Sequence, residues 1–367
     1  MKKLIFLATE DWFVRSHFLP LVRRAQAEGY DVAVAARDSG ALREEGVRVI
    51  AMPFARGSFN PITLWRERDA VRALLNAERP AIVHAIALKP ILLSLLAGPG
   101  GTARVLALTG RGYLGASASW FAWGGPGIAR AIREAVRRGF NLLMVENQAD
   151  RAWIEAGAAL PDARVVLMPG AGVDPTQFPA RPEPAGPVVI GAASRLIRSK
   201  GVDLLIEAQT RLRAEGRDVR VHIAGDADAH NPEAVGEETL QRWRETPGVT
   251  LLGRVSDIAG FWASAHIACF PTRGGEGLPR SLLEAASCAR PLVVTDTPGC
   301  ADFVRPGVEG LVVPPNSAFA LAEALAKLID DASLRQSWGA NARRRVLEGY
   351  TEAHAADVAA AAWARLI

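Results

Sequence analysis

Short apolar runs recur along the chain, separated by stretches whose apolar positions return every three or four residues. The runs Lys3–Ala8, Asp31–Ala36, Gly46–Met52, Ala81–Ala85, Arg104–Leu108, Leu142–Glu146 and Val165–Met168 read as strands. A second set comes at Val188–Ala193, Arg220–Ala224, Val249–Leu252, Ala265–Phe270 and Leu292–Thr295. Nearly continuous apolarity, rather than alternation, is the mark of a parallel strand buried on both faces. Between the first two, Phe18, Leu21, Val22 and Ala25 give a helix starting at His17 one apolar face, with Arg23, Arg24 and Glu28 outward. Strand, helix, strand in that order is a βαβ unit, and its repetition predicts an α/β fold. Helices are also expected over Ile62–Ala77, Asp203–Leu212, Asn316–Ile329, Leu334–Leu347 and Thr351–Ile367.

Composition narrows the class. At 367 residues the chain is long enough for two domains with separate cores. With 49% apolar and 22% charged residues it is globular rather than disordered. Gly, Pro or charge interrupts every apolar stretch well before twenty residues, so no membrane-spanning helix is expected. The basic start at Lys2 and Lys3 meets Glu10 and Asp11 at once and reads as a first strand, not a signal peptide. Cys269, Cys288 and Cys300 have no metal-ligand spacing and suit reduced core thiols in a cytoplasmic protein. Residues 1–180 hold 22 Lys and Arg against 16 Asp and Glu, while the whole chain is +4. A positive first half fits an acidic partner, a membrane surface or lipid diphosphate before nucleic acid, for which no motif is present.

The chemistry concentrates after Ala265–Phe270, where Gly274, Gly275, Glu276 and Gly277 lead into Pro279 and a helix to about Ala289. Glycines permit close backbone approach, and the free N–H groups of a helix start attract an anion, so Gly277 and Leu278 can offer donors to a diphosphate. Pro279 suits the first helical position. Carboxylates at Glu276 and Glu284 would repel a phosphate but accept hydrogen bonds from sugar hydroxyls. The plainer alternative is a loop acid and a solvated helix acid. Upstream, Arg195 and Lys200 end another strand, and two cations there can neutralise a diphosphate. Asp226-Ala227-Asp228 has D-x-D spacing, which could hold a metal; the alternative is a glycine turn at Gly225.

Glu276-Gly277-Leu278-Pro279-Arg280-Ser281-Leu282-Leu283-Glu284 resembles the E-x7-E signature of family-four retaining glycosyltransferases, which have two Rossmann-like domains in the GT-B arrangement. The resemblance implies that Glu284 holds the nucleotide ribose and Glu276 faces the donor sugar. Ser194-Arg195-Leu196-Ile197-Arg198-Ser199-Lys200-Gly201 is similar to the family's GRLxxxKG element, with Ala193 and Ser194 where Gly is common. By the same resemblance the glycine turn at Gly225 would lie beside the nucleotide, with Arg254 and Val255 near the base. Pro169-Gly170-Ala171-Gly172-Val173-Asp174 resembles PGSGVD, with Asp174 able to cap the segment after it, and Phe178–Pro187, with four prolines, reads as the interdomain linker. The domains implied are 1–180 for the acceptor, 187–349 for the nucleotide sugar, and a helix at 350–367 returning to the first.

In the first half, His84-Ala85-Ile86-Ala87-Leu88-Lys89-Pro90 resembles VHAHxxKP, with His84 packed at a strand end and Lys89 a candidate for an acceptor phosphate. Thr109-Gly110-Arg111-Gly112-Tyr113 resembles the TGLGY segment of members that extend polyprenyl-linked sugars, with Arg111 adding a phosphate-capable fork. Ser16 and His17, placed at a helix start, are further acceptor candidates beside a packing or capping reading. No catalytic His is assigned. Trp120, Phe121 and Trp123 precede Arg130, Arg133, Arg137 and Arg138, which suits contact with an anionic bilayer or, alternatively, a core helix with a solvated basic face.

The family resemblance implies a retaining transfer from a nucleotide sugar, UDP-linked by preference and without a metal, to a polyprenyl-diphosphate-linked glycan at the inner face of the plasma membrane. A soluble sugar or small metabolite is the alternative acceptor. A non-catalytic two-lobed sugar binder would dispense with the diphosphate cations. An oxidoreductase would need the G-x-G-x-x-G turn, which the first βαβ unit lacks.

Overall fold

The computed structural model describes residues 1–55, 58, 60–98, 101–111, 124–228 and 231–367. Two compact units divide it: residues 1–172 with 352–367, and residues 173–351. Each is a parallel sheet with helices on both faces.

The first unit runs β1 (Lys3–Glu10), α1 (Asp11–His17), α2 (Leu19–Ala27), β2 (Asp31–Arg37), β3 (Val49–Ala51), α3 (Pro61–Glu78), β4 (Ile82–Ile86), α4 (Leu88–Leu96) and β5 (Ala103–Leu108). After residues outside the description come α5 (Gly125–Arg138), β6 (Asn141–Val145), α6 (Gln148–Glu155) and β7 (Val165–Leu167). The strands order as β3-β2-β1-β4-β5-β6-β7. Successive β1 residues serve opposite cores: Leu4 and Phe6 face one, Ile5 and Leu7 the other. The helix expected from His17 begins earlier, at Asp11, and breaks at Phe18. Ser16 and His17 therefore end α1 instead of opening a helix. Ser16 Oγ donates to the Phe13 carbonyl and lies 2.6 Å from His17 Nδ1.

The second unit runs β8 (Val188–Ala193), α7 (Val202–Ala214), β9 (Val219–Ala224), α8 (Glu237–Glu245), β10 (Val249–Gly253), α9 (Ile258–Ala263), β11 (Ile267–Phe270), α10 (Arg280–Ser287), β12 (Leu292–Thr295), α11 (Cys300–Phe303), β13 (Gly310–Val313), α12 (Ala318–Asp330) and α13 (Ala332–Gly349). Its strand order is β10-β9-β8-β11-β12-β13. The final helix, α14 (Glu352–Ala364), belongs to the first unit and packs on α2. Small residues Ala355, Ala356, Ala359 and Ala362 bring it close, and Trp363 is fully buried.

The proline-rich linker expected at Phe178–Pro187 lies wholly in the second unit. Arg335 grips Glu183 at 2.8 Å, and Arg290 donates to the Pro182 carbonyl at 3.2 Å. The chain passes between units at Gly172–Val173 and Thr351–Glu352. Prolines limit conformational entropy, but these buried guanidinium groups decide where the segment packs.

In both sheets strand order reverses beside the first strand of the unit, between β1 and β4 and between β8 and β11. Connections leave those neighbours toward opposite faces, so a crevice opens at their carboxyl ends, where such sheets bind ligands.

Candidate functional site

At the β8–β11 crevice a small recess is lined by Ser194, Lys200, Thr272, Glu276, Pro279 and Ser281, among others. Lys200 arrives on a short 3-10 turn, Arg198–Lys200. Gly201 ends that turn at φ 67°, and a Cβ there would stand 2.0 Å from the Pro271 carbonyl oxygen. Only glycine lets the two loops lie together. Gly225 does the same after β9: its φ is 137°, and a Cβ would meet the Ser194 carbonyl at 1.8 Å. Its glycine is thus required by loop packing inside the protein.

Lys200 Nζ is ion-paired with Glu276 Oε1. Their side chains are 17% and 19% exposed, so the charges are poorly hydrated. Burial first, and then the charge of Arg195, lowers the Lys200 pKa to about 8, with a smaller opposing influence from Cys300. Arg195 is half-exposed and turns to Asp228 Oδ2 at 3.0 Å. It stands near enough to act on Lys200 electrostatically, but its own charge is engaged by the second acid of D-x-D. Among the described residues, no group of three or more His, Cys, Asp and Glu converges as a metal site.

Pro279 precedes α10 as its N-cap and the helix begins at Arg280, one residue later than expected. The Leu282 N–H already bonds the Pro279 carbonyl at 3.1 Å. Leu278 is buried, and a Cβ on Gly299 would stand 1.7 Å from the Gly277 carbonyl oxygen. Glu284, one turn into the helix, accepts from Arg280 Nε at 3.1 Å. That i,i+4 pair holds the carboxylate in place. Arg254 is exposed and Val255 half-buried beyond β10, and the Gly225 N–H bonds the Gly253 carbonyl at 2.7 Å, joining the ends of β9 and β10.

Sequence reasoning passed over Thr272, Ser281 and Arg280. Thr272 and Ser281 line the recess, and Arg280 orients Glu284. A hydroxyl at the second residue of a helix that succeeds a glycine loop is the signal that could have marked Ser281.

In the first unit the acceptor candidates scatter. Lys89 is a correction: it is buried, with Nζ 2.8 Å from Glu67 Oε1, 2.7 Å from the Ala55 carbonyl and 3.0 Å from the Ser58 carbonyl. Its charge answers a fully buried carboxylate and anchors a loop, so it presents no open ammonium to a phosphate. Thr109 and Gly110 come after β5 at its carboxyl end, and Arg111 pairs with buried Asp150 at 3.0 Å. Gly112, Tyr113, Trp120, Phe121 and Trp123 lie outside the described residues. On α5, Arg130, Arg137 and Arg138 are exposed, but Arg133 turns inward to the Ile154 and Ala156 carbonyls and leaves the basic face. No helix among the described residues is long and apolar enough to cross a membrane.

Residues 187–331 match the family described as glycosyl transferases group 1, and residues 3–118 match that described as glycosyl transferase 4-like. The chain is similar to the capsular polysaccharide biosynthesis glycosyltransferase CapM of Staphylococcus aureus, 32% identical over 158 residues, 43% of this chain and 41% of that protein. It is also similar to the N,N'-diacetylbacillosaminyl-diphospho-undecaprenol alpha-1,3-N-acetylgalactosaminyltransferase of Campylobacter jejuni, 31% identical over 162 residues, 44% of this chain and 40% of that one. The matches thus span less than half the length of these relatives. In fold it is similar to HepE of Anabaena, solved with UDP and glucose, at TM-score 0.79 and 20% identity over 99% of this chain and 100% of that one.

Proposed function

Because the chain belongs to the glycosyltransferases that these two families describe, we propose that it moves a sugar from a uridine diphosphate donor to a polyprenyl-diphosphate-linked glycan, with retention of anomeric configuration, in cell-surface polysaccharide assembly. The observation that carries the donor site is the meeting of Lys200 and Glu276 in the recess at the β8–β11 reversal. A diphosphate entering there draws Lys200 away from Glu276. The freed carboxylate then accepts hydrogen bonds from the sugar, and Glu284 accepts those of the ribose. Arg195, Lys200 and the Gly277–Leu278 backbone face the charge that grows on the departing diphosphate. Arg254 and Val255 border the base.

In the transfer, the bond from anomeric carbon to diphosphate oxygen breaks while the acceptor oxygen bonds the same face. The acceptor's proton passes to the leaving diphosphate. Lys200 supplies the charge compensation, so turnover is expected to survive chelation of divalent ions.

The acceptor assignment draws on the undecaprenol-linked substrate named for the Campylobacter jejuni relative and on the positive balance of residues 1–180. Peripheral contact with an anionic membrane at its cytoplasmic face belongs to the same reading. The three cysteines, all buried and unpaired, suit that reducing compartment.

A panel of nucleotide sugars screened by thermal shift, then turnover with polyprenyl-linked and soluble acceptors, tests the proposal. Lys200→Ala should lose most turnover; near-normal activity in that variant removes the role given to it.

A further inference from the structure

Lys200 sits on a turn that cannot hold itself. Its internal bonds are Lys200 N–H to the Ile197 carbonyl, 3.0 Å, and Gly201 N–H to the Arg198 carbonyl, 3.1 Å. Outside support comes partly from the Glu233 carbonyl, which accepts the Arg198 N–H at 2.9 Å. The rest comes from Thr272 and Arg273. The Ser199 carbonyl accepts both the Arg273 N–H at 2.7 Å and Thr272 Oγ1 at 3.0 Å. Arg273 Nη1 donates to the Arg198 carbonyl at 2.7 Å. The same guanidinium forks onto Asp203 in the first turn of α7, at 2.8 and 2.7 Å, and its Nε reaches Asn316 Oδ1 at 2.9 Å. Asn316 holds left-handed backbone at φ 60°, a conformation that surrounding contacts must maintain.

We infer that Arg273 is a positioning residue for the donor diphosphate: it fixes the Lys200 turn to the loop that carries Glu276, so that cation and carboxylate are set as one block. This rests on the donor-site reading above. Every nitrogen of Arg273 is engaged by protein acceptors, so the residue acts through Lys200 and not on the phosphate. A planar fork suits this task because it holds direction as well as distance, which a lysine cannot do.

The test is a double-variant cycle on UDP affinity by calorimetry, using wild type, Arg273→Ala, Lys200→Ala and the double variant. Arg273→Ala should weaken UDP binding about tenfold. In the Lys200→Ala background the same change should add less than about twofold, because the partner through which it acts is gone. Arg273→Lys should fail to restore affinity. Wild-type affinity in Arg273→Ala, beside a weakened Lys200→Ala, overturns the inference and leaves the donor site standing. Independent, multiplying effects overturn it too, since Arg273 would then act directly. Wild-type affinity in Lys200→Ala overturns the donor-site reading itself and the inference with it. Should Arg273→Ala not fold, Asp203→Asn, at an exposed partner of the fork, carries the same expectations at smaller amplitude.

Discussion

The indole N–H of Trp363 donates to Nδ1 of His84 at 3.1 Å, joining residues 279 positions apart. The bond assigns the imidazole proton to Nε2, which is buried without a partner among the described residues. Phe6 stacks on His84 with ring centroids 5.1 Å apart and meets Trp363 edge-on at 6.0 Å. The last helix is thus fastened to the centre of the first sheet by a neutral histidine, and burial pushes that histidine's pKa down to about 3.

The depressed value carries a direction in pH. Between about 6.5, the unfolded value, and about 3, the unfolded chain binds a proton that the folded chain refuses. The stabilising contribution is complete above that window and is lost as pH falls through it. His84→Gln retains an acceptor for Trp363 and cannot titrate. Urea melts at pH 7 and pH 5 should show a smaller loss of stability in His84→Gln than in wild type. Equal losses would remove His84 as the source.

Removing one member of the Lys89–Glu67 pair leaves a charge stranded in the core. Lys89→Ala is expected to lower stability by about 3–5 kcal/mol. Replacing both, with Lys89→Met and Glu67→Leu, should recover most of it. Chemical denaturation measures both variants. A fully stable Lys89→Ala whose only defect is in acceptor turnover would return Lys89 to the phosphate role.

The contrast shows what sequence can hold. Parallel strands, their order of appearance and the βαβ rhythm were legible because apolar runs and helical periodicity are local. So was the junction of β11, glycine loop and α10. A cation at a strand's carboxyl end reads the same whether its partner is a ligand or a glutamate 22 residues upstream, as with Lys89 and Glu67. Likewise Arg195 and Lys200 look equivalent in sequence, yet one turns to Asp228 and the other to Glu276. The early start of α1 was hidden because Glu10 and Asp11 look like loop acids, whereas both are buried. The return of α14 to the first unit was available only through family resemblance, since Ala-rich helices suit many partners.

Gly225 offers a test of loop packing apart from chemistry. At φ 137°, with a Cβ destined for 1.8 Å from a backbone oxygen, Gly225→Ala must shift either its own loop or that of Ser194. The loss expected is at least about 3 kcal/mol, from strain and displaced backbone together. Thermal unfolding checks it, and an unchanged midpoint would show that the two loops are not held in contact.

Lys200 is expected to leave its mark on the pH dependence of catalysis. It binds a diphosphate only when charged, and its pKa in the free protein lies at about 8, below the usual lysine value of 10.5. Activity at low donor concentration, kcat/KM, should therefore fall as pH rises through about 8. A bound diphosphate stabilises the ammonium, so the corresponding limb in kcat belongs at higher pH. Lys200→Arg keeps its charge throughout this range and should retain whatever activity it has without the kcat/KM limb. If that limb persists in Lys200→Arg, another group sets it and the charge on Lys200 is not what the donor reads.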